Sequence, residues 1–592
     1  MNEKSAEAQF TRAVNFLRRG DASSARPLMT KVVRAYPQSA PAHFMLGIAC
    51  AMLSDNKRAL ECFDRAVEVD SSFIDAYINK GVVLKKMAFY DAAVACYDRA
   101  LVINPRSAES YNNRGSAYLG LGRLHEAVED FNHAITLNPT YADAYCNMGG
   151  ALADSDAFAE ALSMLDRAIE LAPAMAEAHL NRGNALNGLR RFEEAVVSYE
   201  QALKLRPNYS EALCNRGHSL VELNRYEDAL HSYNQAIKLE KNYASAFNGK
   251  AKSLVGLKKI DEALVCYERA IELKPEDALY EWGKALLLIL QGNYEEGWRL
   301  YESRKRHKKF KENICRIQDF AQPLWLGEVN LSGKTILLHH EQGLGDTLQM
   351  LRYVPLLAKF GGDVVVQVPA SLVQIAASAD PAARIVAKGN PLPEFDLQCS
   401  FMSLPGMFRT TLDTVPSAVP YLQASKSSKQ YWHQKLGDKS KYRIGLVWSG
   451  SAQHRNDHNR SIPLMALLPL LDIDAEFFSL QNEYREADGE VLRQKGQIQD
   501  HAKELGTFND TAGFIEQLDL IISVDTAIAH LAGALGKPVW LLLPYSPDYR
   551  WGLEQSESAW YPSARLFRQP RAEDWESVVQ TVANEVSKLV TA

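Results

Sequence analysis

Small residues recur along the first half of the chain with a constant spacing of 34 positions. Glycine holds one position of the repeat, alanine holds the position twelve residues later, and a ring follows four residues after the alanine in most copies. The glycines are Gly47, Gly81, Gly115, Gly149, Gly183 and Gly217. The rings are Phe63, Tyr97, Phe131, Tyr199, Tyr233, Tyr267 and Tyr301, with Leu165 in one copy. This pattern predicts helical hairpins, because small residues let two helices approach closely.

The period and the phase of the small and aromatic residues resemble the tetratricopeptide repeat. A degenerate first copy fits Ala13, Ala25 and Pro37, and a last copy fits Ala285, Gly297 and Tyr301. We therefore expect about nine units, in a superhelix that spans residues 1–310. Stacked hairpins of this kind form a long concave groove, and such surfaces usually bind polypeptide.

One asparagine recurs in register two residues before the repeated glycine, at Asn79, Asn113, Asn147, Asn181 and Asn215. Asparagine is a mediocre helix former, so five in register need a reason. A primary amide both donates and accepts hydrogen bonds, and such a ladder can hold an extended peptide backbone. The arrangement resembles the asparagine ladder of the O-GlcNAc transferase repeat domain. The alternative is that these amides bridge adjacent repeats or only follow repeat ancestry.

The repeat phase is lost after Tyr301, and we expect a linker at residues 311–330. Short apolar runs then alternate with helical patterns, which indicates parallel sheets covered on both faces. The predicted strands are 335–338, 363–368, 442–448, 476–480, 518–524 and 539–543, with a helix expected from residue 371. A polar stretch at 423–441 divides them into two series. We therefore predict an α/β part with two doubly wound lobes, an acceptor-side lobe at 331–425 and a donor-side lobe at 440–592, with a cleft between them.

The first predicted strand runs into a turn that carries a carboxylate. The turn reads Glu341-Gln342-Gly343-Leu344-Gly345-Asp346, and apolar residues at helical spacing follow it. We expect Glu341, Gln342, Gly343 and Gly345 to form a loop on the acceptor side. Open α/β sheets bind ligands at the carboxyl ends of their strands, so Asp346 is placed to take a proton from an acceptor. The alternative is that Asp346 serves only as the N-cap of the helix. The preceding His339 and His340 either line the acceptor site or are simply packed.

The second lobe carries the candidate donor site. Its first strand ends in Ser449 and Gly450, and a polar loop with Arg455 and Arg460 follows. Backbone amides and guanidinium groups there could bind phosphate, although an ordinary loop is the alternative. Later, the strand at 518–524 runs into Asp525, Thr526 and, one helical turn on, His530. The positive end of that helix suits a phosphate or a sugar hydroxyl. The ring-rich stretch 544–551, with Trp560, could line the cleft or pack.

The composition and charge of the chain argue against several classes of function. The net charge is -6 and the pI is about 6.2, which argues against a nucleic-acid partner. The basic run 304–309 is typical of a solvated helix end. Eight cysteines without a CxxC pair suggest neither a disulfide framework nor a zinc site. No leader segment and no membrane-spanning run are predicted, so we expect a cytoplasmic protein.

The turn at Gly345-Asp346, the segment 460–463 and the run 523–532 together resemble the bacterial heptosyltransferase-like family of GT-B glycosyltransferases, over roughly residues 333 to 570. The resemblance implies that Asp346 is the acid that activates the acceptor and that Arg460 meets the donor phosphates. It also implies that Asp525, Thr526 and His530 bind the donor. No metal or cofactor is then required beyond a nucleotide-sugar co-substrate. One departure is Ala527, where the family more often has glycine.

The fusion of such a domain to tetratricopeptide repeats resembles bacterial enzymes that include flagellin glycosyltransferases. Our hypothesis is therefore a protein O-glycosyltransferase, in which the repeat groove holds a polypeptide whose Ser or Thr side chains accept the sugar at Asp346. Flagellin is an expected partner from the resemblance alone. One alternative is a transferase that acts on lipopolysaccharide or another glycan, with the repeats recruiting a partner. A further alternative is a non-catalytic adaptor.

Overall fold

The computed structural model describes residues 3–306, 317–327, 329–454 and 456–591. The chain divides into two compact units, a first unit at Met1–Glu240 and a second unit at Lys241–Ala592. Among the described residues, none of the helices combines the length and the apolar character needed to span a lipid bilayer. Residues 307–309 of the basic run, residues 311–316 and 328 of the predicted linker, and Arg455 lie outside the described residues.

The described part of the first unit consists of fourteen helices, which pair as consecutive hairpins. They are α1 (Glu3–Arg18), α2 (Ala22–Ala35), α3 (Ala40–Met52), α4 (Asn56–Val69), α5 (Ile74–Lys86), α6 (Tyr90–Ile103), α7 (Ala108–Gly120), α8 (Leu124–Leu137), α9 (Ala142–Asp154), α10 (Phe158–Leu171), α11 (Ala176–Gly188), α12 (Phe192–Leu205), α13 (Ser210–Glu222) and α14 (Tyr226–Leu239). Each hairpin also packs on the next one, which buries the apolar faces that a single hairpin would leave exposed.

The repeated glycine closes each hairpin against the repeated ring. A Cβ atom built on Gly183 would lie 2.4 Å from a ring carbon of Tyr199, and one built on Gly81 would lie 2.6 Å from Tyr97. Real side chains do not approach so closely, so only glycine lets the two helices reach this separation. The 34-residue spacing therefore records one contact that recurs from hairpin to hairpin.

Two more hairpins and the α/β part form the second unit. The hairpin helices are α15 (Ala244–Gly256), α16 (Ile260–Leu273), α17 (Ala278–Leu290) and α18 (Tyr294–Tyr301). A 3₁₀ turn at Glu302–Lys305 follows α18. Its Arg304 was expected in a solvated helix end, and that expectation is wrong, because the side chain is fully buried.

The first sheet of the second unit is parallel and has the strand order β3-β2-β1-β4. Its strands are β1 (Thr335–His339), β2 (Asp363–Val368), β3 (Arg384–Ala387) and β4 (Leu397–Ser400). Short helices lie between and after them: α19 (Leu344–Met350), α20 (Val354–Ala358), α21 (Val373–Ala376) and α22 (Leu404–Met407). The chain leaves β1 for β2 on one side and returns to β4 on the other, so the order reverses beside β1.

The second sheet is also parallel, with the order β10-β9-β8-β5-β6-β7. Its strands are β5 (Arg443–Val447), β6 (Glu476–Ser479), β7 (Ile498–Asp500), β8 (Leu520–Val524), β9 (Val539–Leu543) and β10 (Ala564–Arg568). The accompanying helices are α23 (Lys426–Leu436), α24 (Asp457–Arg460), α25 (Glu486–Lys495), α26 (Phe508–Ile515), α27 (Ala527–Ala534) and α28 (Trp575–Thr591). The order reverses between β5 and β8, which are hydrogen-bonded neighbours.

The predicted α/β class is confirmed, and the six predicted strands are present with ends shifted by two residues at most. The pattern did not predict β3, β4, β7 or β10. These strands are three to five residues long and are interrupted by polar residues, so their apolar runs are too short to recognise. The helix expected from residue 371 is a 3₁₀ turn at Ala370–Leu372 followed by the single turn of α21.

Candidate functional site

Three predicted site segments lie at the points where the strand order of the two sheets reverses. The turn with Asp346 follows β1 in the first sheet, and the segments at Ser449 and Asp525 follow β5 and β8 in the second. Crevices at such positions are where open parallel sheets bind their ligands, because the two strands leave in opposite directions there. The topology therefore provides a site at each of these loops.

Asp346 lies in the first turn of α19 and is not its N-cap. The N-cap is Gly343, whose backbone N–H donates to Oδ2 of Asp346 over 2.7 Å. The other carboxylate oxygen, Oδ1, is paired with the guanidinium of Arg550. The Asp346 side chain is 16% exposed, so one face of a mostly buried carboxylate remains accessible.

Arg550 joins this carboxylate to the second sheet, since it follows β9 in a 3₁₀ turn at Tyr549–Trp551. Its Nη1 donates to Oδ1 of Asp548 over 2.7 Å, and its Nε donates to Oε1 of Gln349 over 2.8 Å. The guanidinium also lies over the Tyr549 ring, 4.4 Å from the centroid. Arg550 is thus the direct contact between the turn after β1 and the loop after β9.

Helix α27 supplies the opposite side of the site. Thr526 is its N-cap, with the hydroxyl 3.2 Å from Oγ of Ser523, and Asp525 precedes it. His530 is buried, and its Nδ1 lies 2.9 Å from the hydroxyl of Tyr561. Its Nε2 lies 3.9 Å from Oδ1 of Asp525.

Gly345 brings α19 and α27 together. A Cβ atom on Gly345 would lie 2.7 Å from Cδ2 of His530 and 3.4 Å from Cα of Ala527. A larger residue would separate the two helices and with them Asp346 and the donor-side residues. Both turn glycines therefore have a structural reason, Gly343 as the N-cap and Gly345 as the contact with α27.

Arg460, at the end of α24, reaches the same region. Its Nη1 donates to the backbone carbonyl of Asp525 over 2.8 Å. A Cβ atom on Gly450 would lie 2.5 Å from Nη2 of Arg460, so the absence of a side chain at position 450 makes room for the guanidinium. The arginine thus lies across the carboxyl ends of β5 and β8.

The turn at Ser449 is hydrogen-bonded within the protein, which favours the ordinary-loop alternative over phosphate binding by its amides. The N–H of Gly450 donates to Oγ of Ser461 over 3.0 Å, and the N–H of Ser449 donates to Oε1 of Gln481 over 3.4 Å. The Ser449 hydroxyl also accepts from Nε2 of Gln481 over 2.8 Å. Because these groups are already bonded within the protein, the turn supports Arg460 and is not itself a phosphate cradle.

Burial shifts the proton affinities of the site. It raises the pKa of Asp346 above the ordinary carboxyl value, although the charge of Arg550 opposes that shift. Burial, together with the nearby charge of Asp548, raises the pKa of Asp525 to about 6. Burial lowers the pKa of His530 well below its usual value, so the ring is neutral at pH 7. The site therefore holds a carboxylate suited to accept a proton beside a second one that is easily protonated.

Glu341 does not face an acceptor, which corrects the expectation for the first part of the turn. Its side chain has no exposed surface, and Nη2 of Arg304 donates to its Oε2 over 2.9 Å. Gln342 also turns away, since its Nε2 donates to the hydroxyl of Tyr301 over 2.8 Å. Gln342 therefore connects the turn after β1 to the end of α18, and Glu341 connects it to the 3₁₀ turn that follows that helix.

Both histidines at the end of β1 are packed. Nε2 of His339 lies 3.0 Å from Oε1 of Gln398, and burial lowers the pKa of His339 to about 4. Nδ1 of His340 lies 2.7 Å from the hydroxyl of Thr347. Trp560 is fully buried and stacks on Tyr294, with the ring centroids 6.4 Å apart, which favours the packing interpretation for this ring too.

Three of the five repeat asparagines bridge neighbouring hairpins of the first unit, and for Asn181 the bridge runs from Nδ2 to Sγ of Cys146 over 3.7 Å. Nδ2 of Asn147 donates to Oδ1 of Asn112 over 2.9 Å, and Nδ2 of Asn215 donates to Oδ1 of Asn184 over 2.9 Å. Asn79, Asn113 and Asn181 are half-buried like the other two, and Nδ2 of Asn79 donates to the carbonyl of Asp75 within its own helix. Bridging between repeats, which was the alternative, therefore accounts for part of the ladder.

Sequence reasoning missed Arg550, Asp548 and Arg304. Arg550 lies 204 positions from Asp346, and Arg304 lies 37 positions from Glu341, so no local pattern links either pair. The one available signal was the Asp548-Tyr549-Arg550 sequence after a predicted strand, because charged residues directly after a buried strand lie at the ligand-binding edge of the sheet.

The comparisons with known proteins concern mainly the repeats. Family models of the tetratricopeptide repeat match residues 10–72, 88–146, 142–175, 176–209, 210–243 and 248–303. Protein FlbA of Caulobacter vibrioides is 26% identical over 328 residues, a match that covers 50% of this chain and 53% of that protein. The chain therefore spans about half the length of this curated relative.

Solved structures of repeat proteins are also similar. YrrB, described as a TPR protein with an unusual peptide-binding site, is 25% identical and matches 31% of this chain and 95% of its own, with a TM-score of 0.26. A tetratricopeptide repeat protein from Parabacteroides merdae is 17% identical and matches 42% of this chain and 99% of its own, with a TM-score of 0.37. The family matches and the described hairpins agree: the N-terminal part of the chain is a tetratricopeptide-repeat solenoid, and an α/β part with parallel sheets follows it.

Proposed function

We propose that this protein is a cytoplasmic protein O-glycosyltransferase of GT-B type. It transfers a sugar from a nucleotide-sugar donor to Ser or Thr of a polypeptide bound by the repeats. The observation that carries the proposal is the pairing of Asp346, at the carboxyl end of β1, with Arg550 beside the donor-side residues Asp525 and Arg460. The resemblance to heptosyltransferase-like enzymes implies that Asp346 activates the acceptor and that Arg460 and Asp525 are on the donor side.

The proposed chemistry follows from the roles of these groups. Asp346 accepts the proton of the acceptor hydroxyl while the oxygen attacks the anomeric carbon of the sugar. The nucleotide phosphate leaves with the electrons of the broken bond. The N-terminus of α27 and the guanidinium of Arg460 stabilise the charge that develops on it, since both place positive charge at the switch point of the second sheet.

The proposed polypeptide partner rests on the first unit. A cavity of about 320 Å³ there is lined by Asn147, Asn181 and Asn184, together with Asp154 and Glu211. A primary amide has two N–H donors and an oxygen with two lone pairs, so an amide that bridges repeats can also hydrogen-bond an extended backbone without reading its side chains. Flagellin is the acceptor that the family resemblance favours.

A transfer assay tests the proposal. The full chain is incubated with UDP-, GDP-, ADP- or CMP-activated sugars and purified flagellin, and intact-mass spectrometry records mass increments of one sugar. We expect increments on Ser or Thr with one donor class. Transfer to a glycan acceptor but not to flagellin would support the glycan transferase instead, and no transfer and no donor hydrolysis with any pair would contradict an enzymatic role.

A further inference from the structure

All three nitrogens of the Arg550 guanidinium already have a protein partner, which uses three of its five N–H groups. Nε donates to Gln349, Nη1 to Asp548 and Nη2 to Asp346. Two of those partners are carboxylates, so one cation is shared between two anions. The side chain is only 9% exposed, which keeps solvent from screening the imbalance.

Arg460, the other arginine at this edge, is only partly engaged. Its Nη1 is bonded to the Asp525 carbonyl, while its buried Nε has no hydrogen-bond partner among the described residues. The nearest carboxylate oxygen, on Asp457, is 3.7 Å away and too distant for a hydrogen bond. Arg460 is therefore a ready anion ligand, whereas the charge of Arg550 is already shared by two carboxylates, and a bound phosphate would compete with them for it.

We infer that Arg550 binds the phosphates of the donor, a nucleoside diphosphate sugar, and that donor binding takes Arg550 from Asp346 and leaves that carboxylate free to act as the base. The inference rests on the proposed function. It adds an order to the reaction, because Asp346 is neutralised by Arg550 until the donor is in place. A carboxylate that loses its cationic partner in a buried site also becomes a stronger base.

In this inference, donor binding at Arg550 comes before sugar transfer at Asp346. The phosphate oxygens of the donor accept hydrogen bonds from N–H groups of Arg550, and the hydrogen bond from Arg550 to Oδ1 of Asp346 breaks. The acceptor O–H then gives its proton to Asp346 as the new C–O bond forms at the anomeric carbon. The bond from that carbon to the phosphate oxygen breaks, and the nucleoside diphosphate keeps the electron pair and stays paired with Arg550.

The experiment measures the affinity of inorganic pyrophosphate for the full chain by calorimetry. The variants are Arg550→Gln, Asp346→Asn and the double variant. We expect R550Q to weaken binding by at least about tenfold, as the loss of a charge-assisted hydrogen bond implies. We expect D346N to tighten binding several-fold, because it removes a competitor for the same guanidinium.

The double variant separates the inference from general charge effects. If Asp346 competes through Arg550, D346N has no effect in the R550Q background, so the two changes are not additive. Equal tightening in both backgrounds, wild-type affinity in R550Q, or no pyrophosphate binding by the wild type would each overturn the inference. Arg565→Gln, which removes an exposed ion pair with Glu585, is the matched control and should leave the affinity unchanged.

A replacement variant is available, and failure of this inference can be told apart from failure of the proposed function. If R550Q does not fold, Arg550→Lys replaces it, since a lysine keeps the charge but cannot bond three partners in a planar fork. Pyrophosphate binding does not require sugar transfer. Coupled binding without any transfer would therefore refute the proposed function and not the role of Arg550 as an anion ligand.

Discussion

The first unit and the α/β part of the second unit use charged residues in opposite ways. In the repeats, a pair such as Arg225 and Asp228 lies on the surface, with side chains 54% and 57% exposed. In the α/β part, Arg304 and Glu341 have no exposed surface, and Arg550 and Asp346 are 9% and 16% exposed. Exposed pairs are worth little, whereas an unpaired buried charge is costly. An exposed pair such as Arg225 and Asp228 therefore tolerates a charge change that the two buried pairs do not.

The largest expected effect concerns the buried carboxylate at the site. Asp346→Asn keeps the shape of the side chain but cannot accept a proton, so we expect transfer to fall by about a thousandfold, within the range for a lost general base. The rate of sugar transfer in the presence of donor would be measured, and far-ultraviolet circular dichroism would show whether the variant is folded. Full activity in a folded D346N protein would refute the assignment.

The next effect concerns stability. Glu341→Gln leaves Arg304 buried with one carboxylate fewer, and we expect a loss of roughly 3–5 kcal/mol in the free energy of unfolding of the second unit. All nine tryptophans lie between residues 282 and 575, so tryptophan fluorescence in urea reports on that unit alone. Arg225→Ala, the exposed counterpart, should change the free energy of unfolding of the first unit, followed by far-ultraviolet circular dichroism, by less than about 0.5 kcal/mol. Equal effects of the two variants on their units would contradict the contrast.

A smaller effect depends on pH. Asp525 has a pKa of about 6 in the folded protein against 3.8 for the free side chain. Between pH 4 and pH 6 the folded state therefore binds more protons than the unfolded state does. The free energy of unfolding falls over this range, and the stability contributed by protonated Asp525 is lost as the pH rises through 6. At pH 8 we expect Asp525→Asn to be more stable than the wild type by roughly 2–3 kcal/mol. The same fluorescence titration at pH 5 should show a smaller difference, and a gain independent of pH would argue against the raised pKa.

The smallest effect belongs to the repeats. Replacing both Asn147 and Asn215 by alanine removes two bridges between hairpins, and each neutral hydrogen bond is worth about 1 kcal/mol. We expect a modest loss of stability, weaker transfer to a protein acceptor and unchanged donor hydrolysis. If donor hydrolysis falls in parallel with transfer, the amides act only on the fold.

Periodic contacts could be predicted from the sequence, and isolated ones could not. Gly183 and Tyr199 recur in register in the other repeats, so the repeat itself indicates that the two residues are in contact. Strands 363–368 and 539–543 have apolar runs long enough to recognise. Asp346 was recognised as a helix-start acid, but its position inside α19 depends on a bond to Gly343. Its pairing with Arg550 depends on how two sheets are placed, which no local spacing encodes.

The most direct test of the central claim is calorimetry of nucleotide-sugar binding. UDP-, GDP-, ADP- and CMP-activated sugars would each be titrated into the full chain and into Arg460→Gln. Our assignment predicts saturable binding of one donor class with one site per chain, weakened by at least about tenfold in the variant, as the loss of a charge-assisted contact implies. No binding of any of the four classes, or equal binding by both proteins, would contradict it.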